Sequence, residues 1–119
     1  MAYVDGFLLP IPKKNLAAYR AMAEKASAIW KEYGALDYRE CVGDDVNPEF
    51  GLPFPKAANC GPDDVVIFAY IVYKSKAHRD EVNAKIMTDD RLCNMMKDGE
   101  PPFDCAKMFY GGFETLVGM

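Results

Sequence analysis

Residues 65–73 read Val-Val-Ile-Phe-Ala-Tyr-Ile-Val-Tyr, nine consecutive apolar or aromatic residues without a charge, a proline or a helix cap. β-Branched and aromatic side chains dominate this run, and they favour a strand over a helix. A strand that is apolar on both faces is typical of the interior of a sheet. We therefore predict that residues 65–73 form a central strand and that the other elements are arranged around it.

A second interior strand is predicted at residues 3–11, where Pro10 and Pro12 end it. Its alternation places Tyr3, Asp5, Phe7 and Leu9 on one face, and Val4, Gly6 and Leu8 on the other. Residues 35–42 have mixed polarity and are predicted to form a strand near an edge of the sheet. A last strand is expected over residues 107–117, where Gly111-Gly112 indicates a bulge or a close backbone contact.

Apolar residues recur at steps of three and four over residues 13–33, which predicts a helix that ends at Gly34. Ser75 is placed to cap a second helix over residues 76–87, and a shorter helix follows from Asp89 or Asp90. The connection over residues 43–64 is rich in Gly, Pro, Asn and Asp. Within it we expect an additional short strand at residues 54–60.

The order of strands and helices predicts one α+β domain of the ferredoxin-like βαββαβ class, with an antiparallel sheet and helices on one face. A chain of 119 residues suits a single domain. The uncovered sheet face would carry Tyr3, Phe7, Phe68, Tyr70, Phe109 and Phe113. Because such a face marks an interaction surface, we predict that a second copy covers it in a homodimer.

Composition excludes several partners. Asp and Glu number 18 against 14 Lys and Arg, and this acidic balance argues against nucleic acid. No apolar run reaches the roughly 18–20 residues of a membrane helix, and the first residues do not resemble a signal peptide. The four cysteines have no metal-type spacing, so we expect a cytoplasmic protein with reduced thiols, no metal and no cofactor.

Several strings of residues carry a family resemblance. They are Tyr3-Val4-Asp5-Gly6-Phe7, Gly34-Ala35-Leu36, Glu40-Cys41, Asp44-Asp45-Val46, Tyr73-Lys74-Ser75, Arg79-Asp80, Asn83, Pro102-Phe103-Asp104, Met108 and Tyr110-Gly111-Gly112-Phe113-Glu114. In this order and spacing they resemble the YbaA-like family, domain of unknown function number 1428, over essentially the whole chain. The chain departs from the family pattern at Cys105, where we expect Gly.

The resemblance implies a dimeric α/β barrel, in which two ferredoxin-like sheets press face to face. It implies no known reaction. The wider structural superfamily includes cofactor-free monooxygenases, haem-degrading and chlorite-type enzymes, small isomerases and ligand-binding regulators. A shared fold alone is weak support for any one of these activities.

Asp5 and His78 are the candidate catalytic residues. Asp5 is a carboxylate in an apolar strand, and burial would raise its pKa and suit it to accept a proton. Alternatively, Asp5 lies at the dimer interface, bonded to a Tyr hydroxyl or to Arg39. His78 falls in the first turn of its helix, where the dipole favours a neutral imidazole; a plain surface histidine is the alternative.

A small apolar pocket for an aromatic or quinone-like ligand is the other candidate site. Its candidate lining residues are Tyr3, Trp30, Arg39, Glu40, Cys41, Tyr70 and Tyr110, with Tyr38 and Tyr73 as further aromatic candidates. Aromatic residues at these spacings are also common in a core. Cys41 would need a base to act as a nucleophile, with a buried thiol as the alternative, and Glu40 could instead pair with a cation across the sheet.

Two classes of function follow. The first is a homodimeric module that binds a small apolar or aromatic molecule, or a cofactor-free enzyme that oxygenates or isomerises one with Asp5 as base. The second is a non-catalytic protein whose main role is association, for example under stress. RNA binding, a third hypothesis, is opposed by the acidic charge.

Overall fold

The computed structural model describes residues 1–97 and 101–118, and it is an α+β structure with one four-stranded antiparallel sheet. Four strands and four α-helices are present in this part of the chain. They are β1 (Tyr3–Pro12), α1 (Leu16–Glu32), β2 (Asp37–Val42), α2 (Phe54–Ala57), β3 (Asp64–Tyr73), α3 (Lys76–Ile86), α4 (Asp90–Lys97) and β4 (Phe109–Glu114). Single 3₁₀ turns at Lys13–Asn15 and Cys105–Lys107 precede α1 and β4.

The strands are ordered β2-β3-β1-β4, so the two strands predicted to be interior lie at the centre and β2 lies at an edge, as predicted. Asp5 of β1 lies opposite Ile71 of β3 and Gly112 of β4. Pairing of β4 with β1 continues through Gly111 and Gly112 without a bulge. A side chain at Gly112 would collide with the ring of Tyr3, which confirms the predicted close contact.

Helices cover one face of the sheet, which we call the helix face. The odd-numbered residues of β1 and β3 point to this face because successive side chains of a strand alternate. The core between the two layers comprises Leu9, Ile11, Ile67, Ala69, Ile71 and Tyr73 from the strands, Tyr19, Ala23 and Ile29 from α1, and Val82 and Ile86 from α3. This core fixes where the side chains of the candidate site can lie.

The opposite side of the sheet, which we call the open face, carries exposed aromatic side chains. Phe68, Phe109 and Phe113 are 47%, 48% and 61% exposed, and Tyr70 lies beside Phe68. The prediction that Tyr3 and Phe7 share this face is wrong. Both are odd-numbered residues of β1, and they point towards the helices, where Phe7 packs against the core.

The connection between β2 and β3 folds back against one end of the open face. Its residues 54–60 do not form the predicted strand; Phe54–Ala57 is one helical turn that begins with prolines, which suit the first turn of a helix. Phe54 packs edge-on against Phe68, with ring centroids 6.1 Å apart. No helix in the described ranges is long and apolar enough to cross a bilayer.

Candidate functional site

A cavity of about 630 Å³ lies between the helix face of the sheet and the helices. Small side chains help to open it, because Ala23 and Ala26 of α1 and Ala69 of β3 are among the residues that line it. Other lining residues are Phe7, Leu9, Tyr19, Met22, Trp30, Tyr38, Glu40, Ile71, Ile86, Met87, Leu92, Cys93, Met95, Phe103, Cys105 and Met108. Met87 is 73% exposed, and Cys93 and Cys105 are also exposed, so the cavity opens to solvent on this side and is not a closed packing void.

The wall of the cavity is mainly apolar, and much of it is adaptable. Met22, Met87, Met95 and Met108 come from α1, from the segment after α3, from α4 and from the segment before β4. Methionine side chains are flexible and polarisable, and they can adjust to ligands of different shape. The cavity can therefore accept a molecule without a rearrangement of the strands.

One polar cluster interrupts this apolar wall. The Tyr19 hydroxyl donates a hydrogen bond of 2.7 Å to Oε1 of Glu40, and the Tyr38 hydroxyl donates one of 2.8 Å to Oε2. Burial and the Glu40 carboxylate raise the pKa of both tyrosines well above the ordinary value. Both hydroxyls thus remain protonated and hold the carboxylate in place. We call these three residues the Glu40 cluster.

The Glu40 cluster also borders a groove of about 560 Å³ along the exposed side of α1 and β2. Tyr19, Tyr38 and Glu40 line both spaces, together with Ala23. The cluster therefore forms a wall between the apolar cavity and a groove with charged residues on its rim. A polar group in either space can approach the carboxylate.

Asp5 belongs to a different cluster, beside the cavity rather than on its wall. Its carboxylate is buried, and Nη1 of Arg79 donates a hydrogen bond of 2.9 Å to Oδ1. The same nitrogen donates to the hydroxyl of Tyr110 at 3.0 Å, and the guanidinium carbon lies 4.9 Å from the ring centroid of Tyr3. Burial raises the pKa of Asp5, although the Arg79 charge opposes this effect.

Tyr73 separates Asp5 from His78. The Tyr73 hydroxyl accepts a hydrogen bond from Nε1 of Trp30 and donates one to Oδ1 of Asn83, while its ring meets His78 edge-on. Nδ1 of His78 accepts the backbone N–H of Lys74 at 3.0 Å. The His78 ring therefore stabilises the start of α3. At the same place the Ser75 hydroxyl accepts a hydrogen bond from the backbone N–H of His78, so Ser75 is the predicted cap.

The predicted pocket residues lie in three different places. Trp30 and Glu40 line the cavity, as Tyr38 also does, whereas Tyr3 and Tyr110 belong to the Asp5 cluster. Arg39, Cys41 and Tyr70 lie on the open face, because β2 and β3 alternate in register. In the described ranges, no three His, Cys, Asp or Glu side chains group closely enough to hold a metal ion.

Two alternatives raised from the sequence are wrong. Arg39 does not pair with Asp5; its Nε donates to Asp37 on the same strand, and Arg79 is the cation at Asp5. Cys41 is not a buried thiol, because it is exposed at the edge of the sheet. Arg39 and Cys41 both lie on the open face, whereas Asp5 points towards the helices.

Comparisons with known proteins identify relatives over almost the whole chain. A family model described as "Protein of unknown function (DUF1428)" matches residues 2–105. The uncharacterized protein YbaA of Escherichia coli K12 is 42% identical over 118 residues, which is 98% of each chain, and that of Shigella flexneri gives the same values. Among solved structures, the de novo designed protein Foldit4 is 9% identical, with a TM-score of 0.48 over 97% of this chain and 99% of its own.

Proposed function

The chain belongs to the DUF1428 family, whose function is unknown, and from this premise we propose that it is a homodimeric, ferredoxin-like module that binds a small, mainly apolar molecule. One observation carries the proposal. The cavity of about 630 Å³ falls within the range of roughly 300–1,000 Å³ that is typical of small-molecule sites. Its lining also has the usual composition of such sites, apolar and aromatic with a few polar groups.

The ferredoxin-like assignment is supported by connectivity. In the order β2-β3-β1-β4 the neighbouring strands are antiparallel, and α1 and α3 are the two long connections of a βαββαβ chain. Both helices contribute to the core on the same face of the sheet. Such an arrangement leaves the other face for a partner.

The homodimer is supported by the aromatic residues of the open face. A stable monomer rarely leaves several large apolar side chains together in water. Phe113 lies over Gly6 and Gly111, whose missing side chains leave room for its ring across the two strands. The result is an apolar surface that extends from the edge strand β4 over the central strand β1, and a second copy presents the same surface in return.

Cofactor-free proton transfer is a second candidate function, and the position of Glu40 favours it. A catalytic base must come within hydrogen-bond reach of the proton that it removes. Glu40 faces the cavity, whereas Asp5 is not on the cavity wall and Arg79 already occupies its Oδ1. If a reaction takes place in the cavity, Glu40 is therefore better placed than Asp5 to act as the base.

Binding in the cavity can be measured with the neutral apolar dye N-phenyl-1-naphthylamine. Trp30 is the single tryptophan of the chain and lines the cavity, so bound dye will quench its emission by energy transfer. The variant Ala26→Phe places a large ring in the cavity and takes up space that the dye would fill, so we expect it to weaken dye binding about tenfold or more. A fluorescence titration of each protein measures the effect.

The matched control is Ala28→Phe, which adds the same ring on the exposed side of the same helix. This variant should bind the dye as the unmodified protein does. Equal affinity of the Ala26→Phe variant and the unmodified protein would show that the dye binds elsewhere, and it would contradict the proposed site.

A further inference from the structure

We infer that the ligand carries a protonated amine, and that its ammonium group binds at Glu40 while its apolar part fills the cavity. This inference rests on the proposed function and specifies the class of ligand. Three features of the Glu40 cluster carry it: the direction of its hydrogen bonds, its unpaired charge and the aromatic rings around it.

Hydrogen-bond directions make the Glu40 cluster an acceptor-only site. A tyrosine hydroxyl has a single proton, and Tyr19 and Tyr38 both donate theirs to Glu40. An ionised carboxylate has about four lone-pair positions and no proton, so acceptor capacity remains after two bonds. The cluster therefore complements a group that only donates, such as an ammonium, and it disfavours a carboxylate, a phosphate or a ketone.

The negative charge of Glu40 has no cationic partner among the ion pairs of the described residues. Arg20, which lines the neighbouring groove, pairs with Glu24. A charge on an apolar wall interacts more strongly with an opposite charge than one in open water does. A cationic ligand would thus supply the counter-charge that the protein side chains do not.

Aromatic rings around Glu40 offer further favourable contacts to a cation. Trp30 and Tyr38 lie with their ring centroids 6.1 Å apart, and Tyr19 meets Phe103 edge-on at 5.7 Å. All four line the same cavity as the carboxylate. The face of an aromatic ring attracts ammonium groups, most strongly where water is excluded. The remaining apolar lining suits an aromatic or branched alkyl body.

The inference is tested by competition against N-phenyl-1-naphthylamine at pH 7 with three molecules of similar skeleton: 2-phenylethylamine, 2-phenylethanol and phenylacetate. We expect the amine to displace the dye best and the carboxylate least. In the variant Glu40→Gln, which keeps the size of the side chain, the amine should lose about 10- to 100-fold in affinity. The alcohol should change by no more than about threefold, because it forms no charged bond.

The matched control is Glu81→Gln, which removes the same charge from an exposed site on α3. It should leave all three affinities unchanged. If the unmodified protein binds the dye but binds the amine no more tightly than the alcohol, the inference is overturned and the proposed function still stands. Failure of the dye itself to bind would remove the proposed function and the inference together.

Discussion

Replacing Arg79 with Met is expected to lower the free energy of unfolding by about 3–5 kcal/mol at pH 7. The Asp5 side chain is only 2% exposed, and Nη1 of Arg79 is its cationic partner at 2.9 Å. Met keeps the apolar stem of the arginine but removes the guanidinium, so a buried carboxylate loses its compensating charge. Denaturant unfolding followed by Trp30 fluorescence measures the change, at equal protein concentration.

The matched control is Arg20→Met, whose ion pair with Glu24 on α1 is exposed and lies away from the open face. Exposed pairs contribute about 0–1 kcal/mol, so this variant should remain close to the unmodified protein. The double variant Asp5→Asn, Arg79→Met should recover part of the lost stability, since no charge is then left buried. An Arg79→Met protein within about 1 kcal/mol of the unmodified one would show that the pair is not structural.

The Asp5–Arg79 pair also makes the free energy of unfolding depend on pH. Burial raises the pKa of Asp5 in the folded state above its ordinary value of 3.8, so the folded protein binds this proton more tightly than the unfolded chain does. The contribution of this bound proton to the free energy of unfolding is fully present below pH 3.8. It is lost as the pH rises through the pKa of Asp5 in the folded protein. Without Arg79 that pKa is higher still. The difference between Arg79→Met and the unmodified protein should therefore shrink as the pH is lowered.

The second large effect is expected at the open face, where Phe113→Glu should convert the proposed dimer into a monomer. Phe113 is 61% exposed in the single chain, and its ring extends from the edge strand β4 over Gly6 of the central strand β1. A large aromatic residue buried in an interface can contribute about 2 kcal/mol or more, and a carboxylate there would also be desolvated. We expect the dissociation constant of the dimer to rise at least about 30-fold.

Sedimentation equilibrium at micromolar concentration measures this directly. The unmodified protein should have about twice the chain mass of 13.3 kDa, and the Phe113→Glu variant should have the mass of one chain. Ala28→Glu, on the exposed side of α1, is the control and should remain dimeric. An unmodified protein that sediments as one chain would leave the open face without its proposed partner.

Features of the fold that depend on local patterns could be predicted from the sequence. The apolar run of β3 specifies a central strand, the spacing of apolar residues specifies α1, and Ser75 caps the start of α3. Each of these follows from a few neighbouring residues and from the geometry of one element. The helix at Phe54–Ala57 was missed because its apolar composition resembles a strand, whereas its prolines set the backbone of a first turn.

The candidate site was only partly predictable, because it depends on how separate elements meet. Trp30 and Glu40 were predicted as pocket residues. The hydrogen bonds of Tyr19 and Tyr38 to the same carboxylate depend on the position of α1 along β2, which the sequence does not specify. Likewise, Arg79 reaches Asp5 only because α3 packs over that end of β1.

The space inside the cavity could not be inferred from composition. Its volume depends on how far α4 and the segment with Phe103 and Met108 stand away from the sheet, and apolar residues with the same spacing can also form a solid core. The short side chains of Ala23, Ala26 and Ala69 were visible in the sequence. That all three line the same cavity became clear only from the packing of α1 on the sheet.

The most direct test is to observe which side chains touch a bound apolar molecule. Isotope-filtered NOE spectroscopy can detect contacts between unlabelled N-phenyl-1-naphthylamine and the methyl groups of the labelled protein. We predict contacts with Ala26, Ile71 and Ile86, which line the cavity on the helix face. Contacts confined to Val4, Leu8 and Val72, on the opposite face of the sheet, would contradict a binding site between the sheet and the helices.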